Sequence, residues 1–186
     1  MQRAFTFRYD ARMSILLTPV RVCLPLTQEE AATQKDVKLI EYIAIWDTGA
    51  TNSAITKKVV DDLGLKPTGM RETRHADGKS LNNTYLVNIL LPDNVMVGQV
   101  RVTEVKLIPD DKVPENRRPQ LLIGMDIISV GDFAVTGSDG KTTLSFRIPS
   151  TGEIDFVPAA KENNIMEGGN RKARKALEAI QRKRGF

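Results

Sequence analysis

The sequence predicts an all-β domain, and three observations carry that prediction. Short stretches of alternating apolar and polar side chains, rich in Val, Ile, Leu and Thr, recur from Ala4 to Ile148. Two Asp-Gly pairs, Asp77-Gly78 and Asp139-Gly140, sit between such stretches, where they favour tight hairpin turns. Sustained helical spacing belongs to the end of the chain, where Ala173, Ala176, Leu177 and Ile180 share one face and cations take the other.

The segments from Ala4 to Tyr9 and from Val20 to Leu24 alternate and read as edge strands. Asp10, Arg12 and Arg21 interrupt the apolar stretches around them, so no run reaches the roughly eighteen apolar residues of a membrane span, and no cleaved leader is expected. Thr27 to Lys38 is polar and suits a loop or short helix. Lys38 to Trp46 reads as a buried strand that stops at Asp47-Thr48-Gly49. Thr51, Asn52 or Ser53 is then placed to cap a helix running to about Leu63, with Gly64 as its C-terminal stop. Met70 to Leu91 reads as a hairpin turning at Ala76-Asp77-Gly78-Lys79, and Gly98 to Ile108 as a further strand. After a charged, proline-punctuated loop from Pro109 to Pro119 come an apolar strand at Leu121 to Gly124 and a short helix from Met125 to Val130 closed by Gly131. A hairpin of Asp132–Thr136 and Lys141–Ile148, turning at Ser138-Asp139-Gly140, follows. Strand character ends at Pro149. The expected organisation is one domain over residues 1–150 and a basic, partly helical extension over 151–186.

The formal charge of +4 is a property of the tail: residues 171–186 hold seven of the 27 Lys and Arg against one acid, Glu178. Cys23 is the single cysteine, so no intrachain disulfide can form, and a reducing, cytoplasmic setting for a soluble protein is expected. One Cys and one His cannot make a zinc site, and His75 finds no Ser or Cys partner in a motif; neither a metal nor a cofactor is expected. Gly137 and Gly140 lie within a hairpin rather than between a strand and a helix, so they do not form a phosphate loop.

Peptide hydrolysis without a metal or covalent nucleophile needs a base to activate water and an acid to protonate the substrate, and two carboxylates sharing one proton serve as both. Each half of such a site needs an aspartate on a tight turn, then a small hydroxylic residue, then Gly for close backbone approach. Ile45-Trp46-Asp47-Thr48-Gly49-Ala50-Thr51 meets these needs in order. An isolated Asp-Thr-Gly more often caps a turn, and it is the context that gives this one weight. The tripeptide occurs once, with no internal repeat, so a second chain must supply the second aspartate.

In that context the chain resembles the retropepsin-like aspartic proteases of single-lobe bacterial and cellular type. An apolar strand, Asp-Thr-Gly-Ala, a small polar pair, a glycine-bearing hairpin some thirty residues on, and Leu122-Ile123-Gly124-Met125-Asp126 before a short helix carry the resemblance, which covers residues 38–148. It implies a closed, barrel-like acid-protease lobe acting as a homodimeric aspartic endopeptidase on peptide or protein substrates. Asp47 is then the catalytic aspartate, Thr48 bridges the two loops and Gly49 supports the turn. Ala50, Thr51 and Asn52 contact substrate from the floor, and Ala76, Asp77 and Gly78 form the tip of a flap, the peptide binding as an added strand. Viral members usually place an acidic residue where Thr51 stands, so main-chain contacts to substrate differ there.

Asp126, which follows Gly124 at a helix start where unpaired amides and the helix dipole favour an acid, is read as capping that helix rather than as a second catalytic carboxylate. Trp46 alternates away from Asp47, into the core. Two other functional classes stay open on sequence alone: a dimeric peptide-binding or regulatory module of low or no turnover on the same fold, and a lobe that carries the basic tail to an acidic partner or nucleic acid. The tail holds no interleaved aromatics or base-reading motif, and a solvated helix accounts for its charges as well.

Overall fold

The computed structural model describes residues 2–25, 37–75, 78–107, 114, 117–168 and 171–184. The chain divides into two compact units, Met1–Thr151 and Gly152–Phe186. Among the described residues of the first, ten strands run in the order β1 Arg3–Arg8, β2 Leu16–Cys23, β3 Ile40–Trp46, β4 Ala54–Ile55, β5 Gly69–His75, β6 Gly78–Leu91, β7 Val95–Glu104, β8 Leu121–Ile123, β9 Asp132–Ser138 and β10 Lys141–Ile148. The described helices between them are α1 Lys57–Leu63 and α2 Met125–Ile128, with a 3₁₀ turn at Pro92–Asn94. The second unit holds α3 Val157–Gly168 and α4 Arg171–Arg184. The sequence 27–36, read as loop or short helix, lies outside the described residues, as does most of the 109–119 loop.

Neighbouring strands follow the order β2-β3-β8-β4-β7-β6-β5, and β2 also pairs with β6, which closes six strands into a barrel and leaves β5 as an extension beyond β6. The all-β closed lobe expected from the sequence is therefore present. A separate three-stranded sheet, β1-β10-β9, packs its apolar face on the barrel through Phe5, Phe133 and Phe146, which gather around Trp46; the Trp46 and Phe133 rings stack at 5.5 Å. Aromatic pairs of this kind add to the stabilisation from burial alone. Trp46 is buried, as its alternation predicts, and its indole N–H donates to the buried Thr18 hydroxyl at 2.9 Å.

Several boundaries differ from the sequence reading for identifiable reasons. β2 is not an edge: Arg21, Val22 and Cys23 pair with Leu90, Ile89 and Asn88, and this contact between distant segments closes the barrel. Pro19 sits where β2 pairs with β3 alone, so its missing N–H costs no ladder bond. The helix after the Asp-Thr-Gly loop starts later than expected, with Thr56 at its N-cap, because the buried Ala54-Ile55 pair is taken up as β4 between β7 and β8. Gly64 closes that helix in the left-handed conformation, as read (φ 63°). β7 begins at Val95, directly after the 3₁₀ turn, and ends at Glu104. α2 ends at Ile128, with Ser129 rather than Gly131 as its C-cap. Gly131 has a different task, since a Cβ there would lie 2.1 Å from the Arg147 carbonyl oxygen. The last hairpin turns on Asp139 (φ 52°) and Gly140 (φ 72°), the two positive dihedrals that its Asp-Gly pair favours. Among the described residues no helix is long and apolar enough to cross a membrane.

Candidate active site

β3 delivers its end to the middle of the barrel. It runs parallel to β8, with Trp46 opposite Ile123, and the next amide, that of Asp47, donates to the Ile123 carbonyl at 2.9 Å. The strand stops there because the following residues turn. The Gly49 N–H donates to Asp47 Oδ1 at 2.8 Å and the Ala50 N–H reaches the Asp47 carbonyl at 3.3 Å, so the loop fixes one oxygen of the carboxylate from within. A side chain at position 49 would press on that oxygen at 3.2 Å. Thr48 and Gly49 are exposed, while Asp47 and Ala50 are half-buried.

The loop is held from behind by the β8–α2 connection. Met125 and Asp126 donate their backbone amides to the Ala50 and Thr51 carbonyls at 2.8 and 3.2 Å. Asp126 does more than occupy a helix start. Besides accepting from the Ile127 amide at 3.0 Å, its Oδ1 accepts from the Ser53 amide (2.9 Å) and the Ser53 hydroxyl (2.7 Å). The Ser53 hydroxyl oxygen in turn accepts from the Gly124 amide at 3.1 Å. Gly124 holds the N-cap position, and Asp126, in the first turn, satisfies a first-turn amide as read from the sequence while also tying the two chain segments together. Ser53, buried to 1% exposure, is no helix cap but the other half of that tie. Gly124 permits the approach: a Cβ there would stand 2.7 Å from the Asn52 carbonyl carbon and 2.9 Å from the Ala50 oxygen.

Asp47 opens onto a cleft of about 520 Å³. Gly49, Ala50, Thr51 and Asn52 line it beside the aspartate, together with Arg71, Glu72 and Thr73 of β5, Thr103 of β7 and Val105 to Leu107 just beyond that strand. β5 of the β5–β6 hairpin thus borders the same cleft as the aspartate. Its register pairs Arg71 with Asn82, Thr73 with Ser80 and His75 with Gly78. Gly78 opens β6 at φ +132°, whereas Ala76 and Asp77 lie outside the described residues. Of the residues read as substrate-contacting, the structure brings Ala50, Thr51 and Asn52 to the same cleft as Asp47. Sequence reasoning missed Arg71, Glu72 and Thr73, whose place at this cleft follows from the pairing of β5 with β6. No group of three or more His, Cys, Asp or Glu side chains suited to a metal ion occurs among the described residues.

A closed six-stranded barrel with one Asp-Thr-Gly loop opening onto a cleft beside a hairpin is the fold of the retropepsin-like aspartic proteases. Residues 39–130 match the family described as gag-polyprotein putative aspartyl protease. Solved structures with similarity to the chain include a retropepsin-like aspartic protease from Rickettsia conorii, 13% identical, covering 79% of this chain and 95% of that one with a TM-score of 0.46. Another is the simian foamy virus (mac) protease in solution, 15% identical, covering 60% of this chain and 92% of that one with a TM-score of 0.36. A comparison with curated proteins returns no match.

Proposed function

We propose that the chain is an aspartic endopeptidase that works as a homodimer, each copy supplying Asp47. The observation that carries this reading is the Asp47 carboxylate itself: one oxygen is pinned by the Gly49 amide, and the group lines a cleft bordered by β5 of a hairpin. One chain offers one such carboxylate, so the two-carboxylate chemistry requires a second copy.

In aspartic-protease dyads generally, two carboxyl groups about 3 Å apart share one proton, because both cannot ionise at that distance. The ionised Asp47 takes a proton from water as its oxygen attacks the scissile carbonyl carbon, and the protonated Asp47 of the second copy gives its proton to the carbonyl oxygen. The gem-diol intermediate then collapses: one hydroxyl returns its proton to the carboxylate of the second copy as the C=O bond reforms, the C–N bond breaks, and the amine nitrogen takes the proton that the first Asp47 received from water, which leaves the dyad again sharing one proton. Thr48, exposed at the crest of the loop, is placed in this proposal to hydrogen-bond between the two loops, and Gly49 to orient the carboxylate. Ala50, Thr51 and Asn52 below and the 76–78 tip above hold an extended peptide between them. Residues 1–150 form the protease domain in this reading, residues 151–186 an appended basic segment, and the cytoplasm is the proposed place of work.

The test is cleavage of an unstructured protein at mildly acid to neutral pH by wild type and Asp47→Asn, with a pepstatin-type inhibitor as a further arm and sizing of both proteins. Wild type is expected to cut, the variant and the inhibited enzyme not to, and both proteins to be dimeric. A dimeric wild type without turnover would favour a peptide-binding module on the same fold. Activity that survives Asp47→Asn would overturn the assignment of the aspartate. Nucleic-acid binding that weakens steeply with salt and survives the same variant would assign the basic tail a role of its own.

A further inference from the structure

One face of the β5–β6 hairpin is polar throughout. Alternation puts Arg71 and Thr73 of β5 on one side together with their cross-strand partners Asn82 and Ser80 of β6. Thr73 and Ser80 share a hydroxyl–hydroxyl bond of 2.9 Å, and the Asn82 amide donates to both, at 2.8 Å to the Ser80 hydroxyl. The opposite side carries Met70 and Leu81, exposed at 62% and 63%, and the Glu72–Lys79 ion pair at 2.9 Å. The large apolar side chains of this hairpin are not among the residues that line the Asp47 cleft; those are Arg71 and Thr73, with Glu72, held by Lys79, beside them, while Asn82 lines a neighbouring recess.

Arg71 stands apart from Thr73, Ser80 and Asn82. Its Nη1 is the one buried side-chain nitrogen or oxygen that makes no hydrogen bond among the described residues, and Arg71 lines the cleft that holds Asp47. A guanidinium nitrogen removed from water and given no acceptor is an unfavourable arrangement for the empty cleft. It is relieved by an acceptor that arrives in the cleft, and an anionic oxygen is the strongest one, since the planar guanidinium fork matches a carboxylate. An extended peptide lying between the hairpin and the Asp47 loop sends alternate side chains towards each of them. The side chain turned to the hairpin meets Arg71.

We propose that Arg71 is a specificity-determining residue of the cleft, and that it selects peptides carrying a Glu or Asp side chain close to the scissile bond. The proposal rests on the peptidase reading for its consequence in cleavage, and on the cleft alone for its consequence in binding.

The experiment uses the full chain. A peptide library of unrestricted sequence is digested by wild type, Arg71→Gln and Arg71→Glu, and the cleavage sites are read by mass spectrometry. Wild type is expected to enrich Asp and Glu at one position near the cut, and a matched Glu/Gln peptide pair drawn from that position should differ about ten- to a hundredfold in kcat/KM. The ratio should fall to near unity in Arg71→Gln, and Arg71→Glu should move the preference to Lys or Arg, a reversal that a purely structural role for Arg71 would not produce. The same library is also captured on Asp47→Asn chains with Arg71 intact or changed to Gln, which reads the preference without turnover. Acid-selective capture that depends on Arg71, in a wild type that cuts nothing, would uphold this inference while the peptidase reading fails. Asp47-dependent cleavage with no acidic preference, or with a preference untouched by Arg71→Gln, would overturn it while that reading stands. Loss of the dimer in Arg71→Gln would also overturn it, assigning the guanidinium to a contact between subunits.

Discussion

Replacing Gly124 with Ala asks whether the Asp47 loop is braced from behind, as the hydrogen bonds indicate. The added methyl would stand 2.7 and 2.8 Å from the Asn52 carbonyl carbon and oxygen and 2.9 Å from the Ala50 oxygen. All three are backbone atoms, so no rotamer change makes room. Carbon contacts settle at roughly 3.5–4.0 Å, so the 50–52 segment must retreat by roughly 0.6–1.3 Å. That movement opens the bonds from the Met125 and Asp126 amides to the Ala50 and Thr51 carbonyls, and the second is already 3.2 Å long. Overpacking costs about 1–3 kcal/mol and each of the two bonds lost about 1 kcal/mol more, which gives about 3–5 kcal/mol in all. For a unit of this size that is a fall in Tm of roughly 6–20 °C.

Gly137→Ala is the control. Gly137 lies in β9 with nothing within 4 Å of a built Cβ and without a positive φ, so Ala there should be neutral or stabilise by up to about 1 kcal/mol. Thermal and urea unfolding of the two variants beside wild type measure the pair. Because the Asp47 amide is bonded to the carbonyl next to Gly124, Gly124→Ala should also lower turnover by about a hundredfold if Asp47 is catalytic, a displacement near 1 Å being enough. Equal unfolding midpoints for the Gly124 and Gly137 variants would refute the bracing argument.

Two further predictions concern parts away from the cleft. Asp132 of β9 accepts from Ser150 and from Arg147 (Nε at 2.8 Å), and these bonds hold its carboxyl below the usual carboxylate range. A folded-state value below the unfolded one gives stability that is present above about pH 4 and is lost as pH falls through the folded value. Wild type should therefore exceed Asp132→Asn in Tm at neutral pH, with the gap narrowing below about pH 4; a gap of constant width down to acid pH would disprove the linkage. Thr18→Val removes the acceptor of the buried Trp46 indole N–H and should cost about 1–3 kcal/mol, measured by urea unfolding, with Thr18→Ser retaining most of the stability. Equal losses for Val and Ser would place the effect in packing.

What was legible in the sequence was local. The Asp47 turn, the two Asp-Gly hairpins and the Gly64 stop are each specified by a few adjacent residues whose backbone preferences leave little choice. The pairing of β2 with β6, and of β3 with β8, joins segments more than sixty residues apart and leaves no periodic trace in either. Ser53 shows how the two kinds of information compete. A Ser just before an apolar, helix-forming run is a good N-cap by propensity, yet its amide and hydroxyl go to Asp126, and Ala54-Ile55 go into the barrel wall. Tertiary contacts outweighed the local preference because burying Ile55 fully stabilises by more than a typical cap does, about 2 against about 1 kcal/mol. Arg71 was illegible for the same reason. In sequence it is one cation in the run Arg71-Glu72-Thr73-Arg74, which reads as a solvated strand. Only the strand pairing that sets β5 beside the Asp47 cleft distinguishes it, leaving Arg71 with an unpaired buried nitrogen at the cleft while Glu72 is held by Lys79. The reacting group of this lobe is thus written in contiguous residues, while the residue we assign to substrate choice is set by a strand pairing.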